Sequence, residues 1–105
     1  MSYDTSDIDI KVQVKLSESR KLLATASVIL FDGLIEIHGW RISTSTYLHE
    51  KFQELIWIQP PSYNSFGHWR NIVFIKDKTL HEKILDQIYD KYHKVKSQSP
   101  PLNDL

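Results

Sequence analysis

Five histidines are the residues of this sequence best suited to bind a metal ion or to transfer a proton. They are His38, His49, His68, His81 and His93. None forms an HxxxH or HExxH pattern, and without cysteine the chain has neither a thiolate zinc ligand nor a cysteine nucleophile. Its three separate glycines form no phosphate-binding GxGxxG or P-loop pattern, and there is no GxSxG turn. We therefore expect no metal, no cofactor and no enzyme activity, although a serine-histidine-aspartate triad stays open on residue types alone.

The basic residues could support a different chemistry, the binding of nucleic-acid phosphates. With 13 basic and 13 acidic residues the formal net charge is zero, so such binding requires local segregation of charge. On a helical wheel, one stripe holds Lys83, Gln87, Lys91 and Lys94, and a neighbouring stripe holds Glu82, Asp86 and Asp90. The basic stripe could lie along phosphates. The same spacing also fits a solvated face of aspartate–lysine pairs, which is the commoner arrangement.

Aromatic residues suggest a third chemistry, because aromatic side chains on a sheet can stack against unpaired bases. The candidates are Trp40, Trp57, Trp69, Phe66 and Phe74. No pattern typical of an RNA-recognition motif accompanies them. We therefore expect most of these side chains to be buried in the core.

The first predicted elements that must position these residues are two strands and a turn. Apolar residues occupy every even position from 8 to 16, with polar residues between them, which predicts a half-buried strand. The segment "LLATASVILF" (22–31) predicts a second strand, in which Ala24 and Ala26 leave room for another element to pack closely. Asp32-Gly33 then predicts a hairpin turn with positive φ at both residues.

The third strand, "IEIHGWRI" within residues 34–43, changes phase at its glycine. Such a phase change predicts a β-bulge at Gly39. With one extra residue there, the four apolar side chains would point inward, namely Ile35, Ile37, Trp40 and Ile42, while His38 and Arg41 would point outward. The alternative is a strand that ends at Gly39.

Two further apolar segments predict the fourth and fifth strands, at 54–61 and 69–75, with a loop or short helical turn over 43–53 before them. "LIWI" and "IVFI" are apolar without alternation, a pattern typical of strands covered on both faces. A single helix covers only part of a five-stranded sheet, so this pattern favours a homodimer in which a second subunit covers the rest.

One amphipathic helix ends the predicted order. Thr79 and Glu82 form a capping-box pattern at its start, and the helix should run to about Lys96. Its apolar face consists of Leu80, Ile84, Leu85, Ile88, Tyr89, Tyr92 and Val95. The predicted fold is α+β: an antiparallel sheet of about five strands followed by one helix, in a single domain over 8–96. Residues 1–7 should be flexible and residues 97–105 a disordered tail.

No part of the sequence predicts contact with a membrane. No apolar run approaches the roughly 20 residues of a membrane span, and the acidic first ten residues lack the basic-then-apolar pattern of a signal peptide. We therefore expect a cytoplasmic protein.

Taken together, these segments resemble the stage V sporulation protein G family, the bacterial septation regulators. The resemblance covers roughly residues 10–93 and rests on the order and spacing of four motifs. They are "ASVIL" followed by Asp32-Gly33, "IHGWRI" with His38 and Arg41, "PPSYNSFGHWRNI" with Pro60, Gly67 and Arg70, and the helix ending Tyr92-His93.

The resemblance implies a small α+β domain that dimerises through its sheet, and a cytoplasmic DNA- and RNA-binding regulator of septation or sporulation, not an enzyme. By position, Arg41 and Arg70 match arginines of the family. The helix lysines Lys83, Lys91 and Lys94 lie where the family places nucleic-acid contacts, and Gln87 and the arginines are chemically suited to base edges.

The sequence also departs from the family pattern. Ser62 and Tyr63 stand where the family usually has basic residues, Asn71 replaces an aspartate, no His-Pro follows "IVFIKD", and the loop between Ile42 and Leu55 is longer. These departures bear on nucleic-acid binding more than on the fold. They leave a second hypothesis open: a protein-interaction module on the same fold, which recruits a protein partner through its apolar sheet surface and the long loop.

Overall fold

The computed structural model describes residues 8–98 and has an α+β fold. Residues 1–7 and 99–105, on which the predictions of a flexible start and most of a disordered tail fall, lie outside the described residues. A four-stranded antiparallel sheet has the order β1-β2-β3-β4, and a separate hairpin pairs β5 with β6. The elements are β1 (Ile10–Leu16), β2 (Leu22–Leu30), β3 (Ile35–Thr44), β4 (Ile56–Gln59), β5 (Ser62–Ser65), β6 (His68–Asn71) and α1 (Lys78–Gln98).

The core lies between one face of the four-stranded sheet and α1. Val28 in the middle of β2 pairs with Val12 on one side and Ile37 on the other, so their side chains share this face. The buried Ile84 and Ile88 of the helix belong to the same core. The opposite face of the sheet therefore has no helix over it in the described part of the chain, and we call it the open face.

The predicted alanines lie where the sheet must accept its largest core side chain. Ala24 and Ala26 are both buried, and Ala26 pairs directly with Trp40, which is completely buried. Small side chains beside the indole allow the helix and sheet to approach without a clash. The sequence prediction of close packing at these alanines is confirmed.

The bulge at Gly39 is confirmed by the register between β2 and β3. Ala26 pairs with Trp40 and Ser27 with His38, so Gly39 is the extra residue, and its φ is +95°. As expected, Trp40 and Ile42 are buried and Ile37 is half-buried, while His38 is exposed. Ile35 pairs with the buried Leu30 and so lies on the same face as Ile37, as predicted, but this first residue of β3 borders the turn and 46% of it stays exposed.

The hairpin between β2 and β3 is confirmed, but its turn is longer than predicted. Leu30 pairs with Ile35, so the four residues 31–34 form the loop. Asp32 and Gly33 have the expected positive φ, and Phe31 also has a φ of +55°. Residue 31, predicted to end the second strand, and residue 34, predicted to begin the third, thus belong to the turn.

The prediction for the segment after β4 was wrong. Residues 62–65, expected in a loop, form β5, and the strand expected over 69–75 is reduced to β6 and ends at Asn71. Ser65 pairs with His68, which leaves Phe66-Gly67 as a two-residue turn with positive φ at both positions. The short connection favours this local hairpin over a longer strand in the main sheet.

The apolar runs "LIWI" and "IVFI" are not covered on both faces within the single chain. Leu55, Trp57, Ile72 and Phe74 are all exposed. β4 is four residues long and "IVFI" is not part of any sheet. Cover of these side chains by a second subunit stays a prediction.

The N-cap of the helix lies two residues earlier than the sequence predicted. The Asp77 carboxylate Oδ2 accepts a hydrogen bond from the backbone N–H of Leu80 at 3.0 Å, so Asp77, and not Thr79, is the N-cap. The apolar face is confirmed, and the helix continues to Gln98, two residues beyond the predicted end. No helix in the described part of the chain is long and apolar enough to cross a membrane.

Candidate nucleic-acid interface

The basic stripe of α1 lies beside the edge strand β1. Gln87, Lys91 and Lys94 line a shallow groove of about 210 Å³ together with Val12 of β1 and the acidic Asp90. The groove therefore presents two ammonium groups, one amide and one carboxylate. The structure brings these three predicted residues together on one open surface.

Lys83 belongs to the same stripe but has a structural contact as well. Its Nζ donates a hydrogen bond to the backbone carbonyl of Ile8 at 2.9 Å. This bond attaches the segment just before β1 to the helix, so a substitution at Lys83 changes packing as well as charge.

The acidic stripe is contacted by the long loop before β4. Lys51 Nζ lies 2.8 Å from Asp86 Oδ1 and donates to the backbone carbonyl of Glu82 at 3.3 Å. Both partners are partly exposed, so the ion pair contributes little to stability. The ion pair also compensates the charge of one carboxylate of the acidic stripe.

An aromatic stack holds the same loop against α1. The rings of Phe52 and Tyr89 are parallel with centroids 4.0 Å apart, and His49 stacks on the other side of Phe52 at 4.7 Å. His93 meets the edge of Tyr89 at 4.6 Å. The loop that is longer than in the resembled family is thus an ordered cover for one side of the helix.

Glu54 ends this loop and connects it to two helix residues. Its Oε1 accepts a hydrogen bond from the Tyr89 hydroxyl at 2.5 Å and lies 2.7 Å from His93 Nε2. The hydrogen bond from Tyr89 holds the pKa of the Glu54 carboxyl below its usual range; partial burial opposes this, and the charges of His93 and Lys96 support it. The same bond raises the pKa of Tyr89, because ionisation would place two negative charges together.

Arg41 is not part of the helix surface. It pairs with Thr25 and Gln59 in the sheet and points to the open face, where its guanidinium lies 5.7 Å from the ring of Trp69. The outward orientation predicted for Arg41 is confirmed. Its neighbours are hairpin and sheet residues, not α1.

Arg70 lies on the exposed β5–β6 hairpin. It pairs with Tyr63, while Trp69 pairs with Asn64, so Arg70 and Trp69 point to opposite faces of the hairpin. The six predicted residues therefore form three groups: the helix stripe, Arg41 on the open face, and Arg70 on the far side of the hairpin. The structure does not unite them in one contiguous site.

The expectation that most aromatic candidates are core residues was wrong. Of the five, Trp40 is buried, whereas Trp57, Trp69, Phe66 and Phe74 are exposed. Trp57 stands between Ile56 and Ile58 and must point to the other face, a parity signal that was present in the sequence. Two further residues of the open face, Lys21 and Gln59, carried no motif that would have selected them.

The histidines are distributed over the surface and the helix. His38 Nδ1 is 2.7 Å from the Ser27 hydroxyl, and its Nε2 is 3.5 Å from Glu36. Among residues 8–98, no group of three or more histidine, aspartate or glutamate side chains is placed to hold a metal ion.

Comparison with known proteins gives no relative: no protein-family model, no curated protein and no solved structure matches the chain. Its resemblance to the septation regulators therefore stays a prediction, and the functional argument rests on the residues themselves.

Proposed function

We propose that this chain is a dimeric, non-catalytic regulatory protein of the septation and sporulation regulator type that binds DNA or RNA through the basic residues of α1 and the sheet. A bacterial cytoplasmic location belongs to the same proposal. The observation that carries it is the division of the helix surface. The loop that ends at Glu54 contacts the acidic side, and Gln87, Lys91 and Lys94 line an open groove on the basic side.

Phosphate contacts would supply most of the affinity. Lys91 and Lys94 present ammonium groups to a backbone, and the Gln87 amide can donate to a phosphate or meet a base edge. Asp90 in the same groove reduces the attraction. A single subunit should therefore bind weakly, and two subunits on one nucleic acid should bind much more tightly than one.

The test compares two double charge reversals by fluorescence anisotropy with labelled random duplex DNA and duplex RNA pools. Lys91→Glu/Lys94→Glu should abolish binding at about 50 mM salt, a concentration at which phosphate contacts are strong. Lys11→Glu/Lys76→Glu changes two exposed lysines away from the groove by the same total charge and should retain most of the affinity. Lys83 is left unchanged because of its contact with Ile8. Equal binding by the two variants would show that the helix proposal is wrong.

A second candidate function, a protein-interaction module, is favoured by the exposed apolar side chains around the hairpin. Phe66 at the turn is 100% exposed, and Ile72 and Phe74 beyond β6 are also exposed. A pull-down from a bacterial lysate separates the candidates. Partners that persist after nuclease treatment and are lost in Phe66→Ser/Phe74→Ser favour the interaction module, whereas partners that disappear with nuclease favour the regulator.

A further inference from the structure

A cleft of about 350 Å³ opens between the open face of the main sheet and the β5–β6 hairpin. Its lining includes Lys21, Arg41, Ser43, Trp57, Gln59 and Trp69. We call it the tryptophan cleft. Its size is within the range of about 300–1,000 Å³ that is usual for small-ligand sites.

The cleft contains one polar side chain suited to a base edge, that of Gln59. This residue is 5% exposed and lines the cleft. An amide offers both donors and an acceptor, which matches the edge of a nucleobase.

The charge of the cleft selects the class of ligand. Lys21 and Arg41 are both cationic, and none of the described residues that line the cleft is acidic. This local excess of two positive charges contrasts with the neutral chain as a whole. The occupant should therefore carry negative charge.

The aromatic rings of the cleft indicate the shape of the ligand. Trp57 and Trp69 are each about half exposed, at 48% and 49%, and both contribute to the lining. The Arg41 guanidinium over Trp69 fixes one side of that indole. A planar aromatic group can stack on the remaining indole surface, and a base is the group that combines such a plane with an attached anion.

We propose that the tryptophan cleft binds one unpaired nucleotide of a single-stranded nucleic acid. The base stacks on Trp57 or Trp69, its edge hydrogen-bonds to the Gln59 amide, and its phosphate lies near Lys21 and Arg41. This gives Arg41 a role apart from the helix groove, on the other side of the sheet. The cleft can act whether or not the helix binds a duplex, so the two proposals can fail separately.

The test uses a fluorescein-labelled tetrauridylate, which is short enough to occupy the cleft with few other contacts. At least one of Trp57→Leu and Trp69→Leu should weaken its binding by roughly tenfold or more, the usual size of one stacking contact. Tyr47→Leu removes an exposed aromatic side chain outside the cleft and is the matched control. Lys11→Glu/Lys76→Glu changes two exposed lysines that line neither the cleft nor the helix groove and should leave tetrauridylate binding unchanged.

Lys21→Gln provides a second variant in case a tryptophan substitution prevents folding, since Lys21 is exposed. It should weaken tetrauridylate binding and leave duplex binding intact. The proposal is overturned if both tryptophan variants and Lys21→Gln bind tetrauridylate as the parent does. It is also overturned if Lys91→Glu/Lys94→Glu is the only variant that loses tetrauridylate binding. Tighter tryptophan-dependent binding of an acidic, tyrosine-containing peptide would also overturn it, by assigning the cleft to a protein ligand.

Discussion

At the scale of single residues, Glu54 connects the loop before β4 to the helix. Its carboxylate accepts the Tyr89 hydroxyl and contacts His93, so one side chain links the loop to two turns of the helix. Its pKa is lowered mainly by the bond from Tyr89. A lowered folded pKa means that stabilisation is present above the ordinary glutamate value of about 4.3 and is lost as the pH falls through the folded value.

Replacing Tyr89 by phenylalanine should therefore raise the pKa of Glu54. The variant keeps the ring that stacks on Phe52 and removes only the hydroxyl donor. The measurement is a carbon-13 NMR titration of the Glu54 carboxyl. Tyr47→Phe removes an exposed hydroxyl elsewhere in the same loop and should leave the Glu54 titration unchanged. An unchanged Glu54 pKa in Tyr89→Phe would contradict the assigned cause.

The same bond predicts how stability depends on pH. Glu54→Gln should have a lower thermal midpoint than the parent at pH 7, since the amide cannot offer a charged acceptor. As the pH falls below about 4.3, the parent carboxylate becomes protonated and the difference should shrink. A difference that stays constant from pH 7 to about pH 3 would show that the Glu54 charge is not involved.

Some residue-level features follow from the sequence because they are local. The phase change at Gly39 requires an extra residue in the strand, and the positive φ at Asp32 and Gly33 follows from their turn chemistry. The pairing of Tyr89 with Glu54 could not be predicted, because the partners are far apart in the chain and no local pattern encodes their contact. Gln59 was missed for the same reason: its burial depends on a hairpin that folds over it.

At the scale of elements, the loop before β4 is fixed by its side chains rather than by regular structure. Phe52 inserts between His49 and Tyr89, and Lys51 pairs with Asp86. The sequence of this loop is polar and predicted only a loop or a short turn. The position of the loop depends on its contacts with α1, and the sequence of the loop alone does not specify those contacts.

Phe52→Ala should lower the free energy of unfolding by about 1–2 kcal/mol. This is below the roughly 3–5 kcal/mol of a fully buried phenylalanine, because Phe52 is half-buried. Tyr47→Ala, in the same loop but 80% exposed, should change it little. Urea denaturation of both variants is the measurement, and equal losses would show that the Phe52 stack does not hold the loop.

The start of the helix gives a second prediction at this scale. Asp77→Ala should destabilise the fold by about 1 kcal/mol through loss of the N-cap, whereas Thr79→Ala should have little effect. Urea denaturation again gives the comparison. A larger loss of unfolding free energy in Thr79→Ala than in Asp77→Ala would contradict this and support the capping box that the sequence predicted. The sequence analysis selected Thr79 from its capping-box pattern, and the backbone geometry places the cap two residues earlier, at Asp77.

At the scale of the whole molecule, the chain is elongated and its apolar surface is incompletely covered. The radius of gyration is 14.8 Å, against about 13 Å for a compact chain of about 100 residues. Phe66, Ile72 and Phe74 are exposed on or just after the hairpin. The α+β class and the antiparallel order were predictable from strand periodicity and short connections, but the separate hairpin was not, because "IVFI" resembles a buried strand.

The proposed dimer predicts a specific change in sedimentation velocity. The parent should sediment as a dimer at micromolar concentration, and Phe66→Asp/Phe74→Asp should shift it to a monomer, since burying charged side chains in an apolar contact is costly. Leu34→Asp, at the exposed turn between β2 and β3, is the matched control and should remain dimeric. A parent that is monomeric throughout would rule out the proposed assembly.

The contact between β1 and α1 has a consequence for how the chain is made. The first strand of the sheet packs against the last described element, and Ile84 and Ile88 complete the core that Val28 and Trp40 begin. During synthesis the four strands of this sheet can leave the ribosome while the helix is still inside the exit tunnel. Until α1 emerges, the apolar face of the nascent sheet is exposed. During that interval a chaperone that binds exposed hydrophobic segments can bind it.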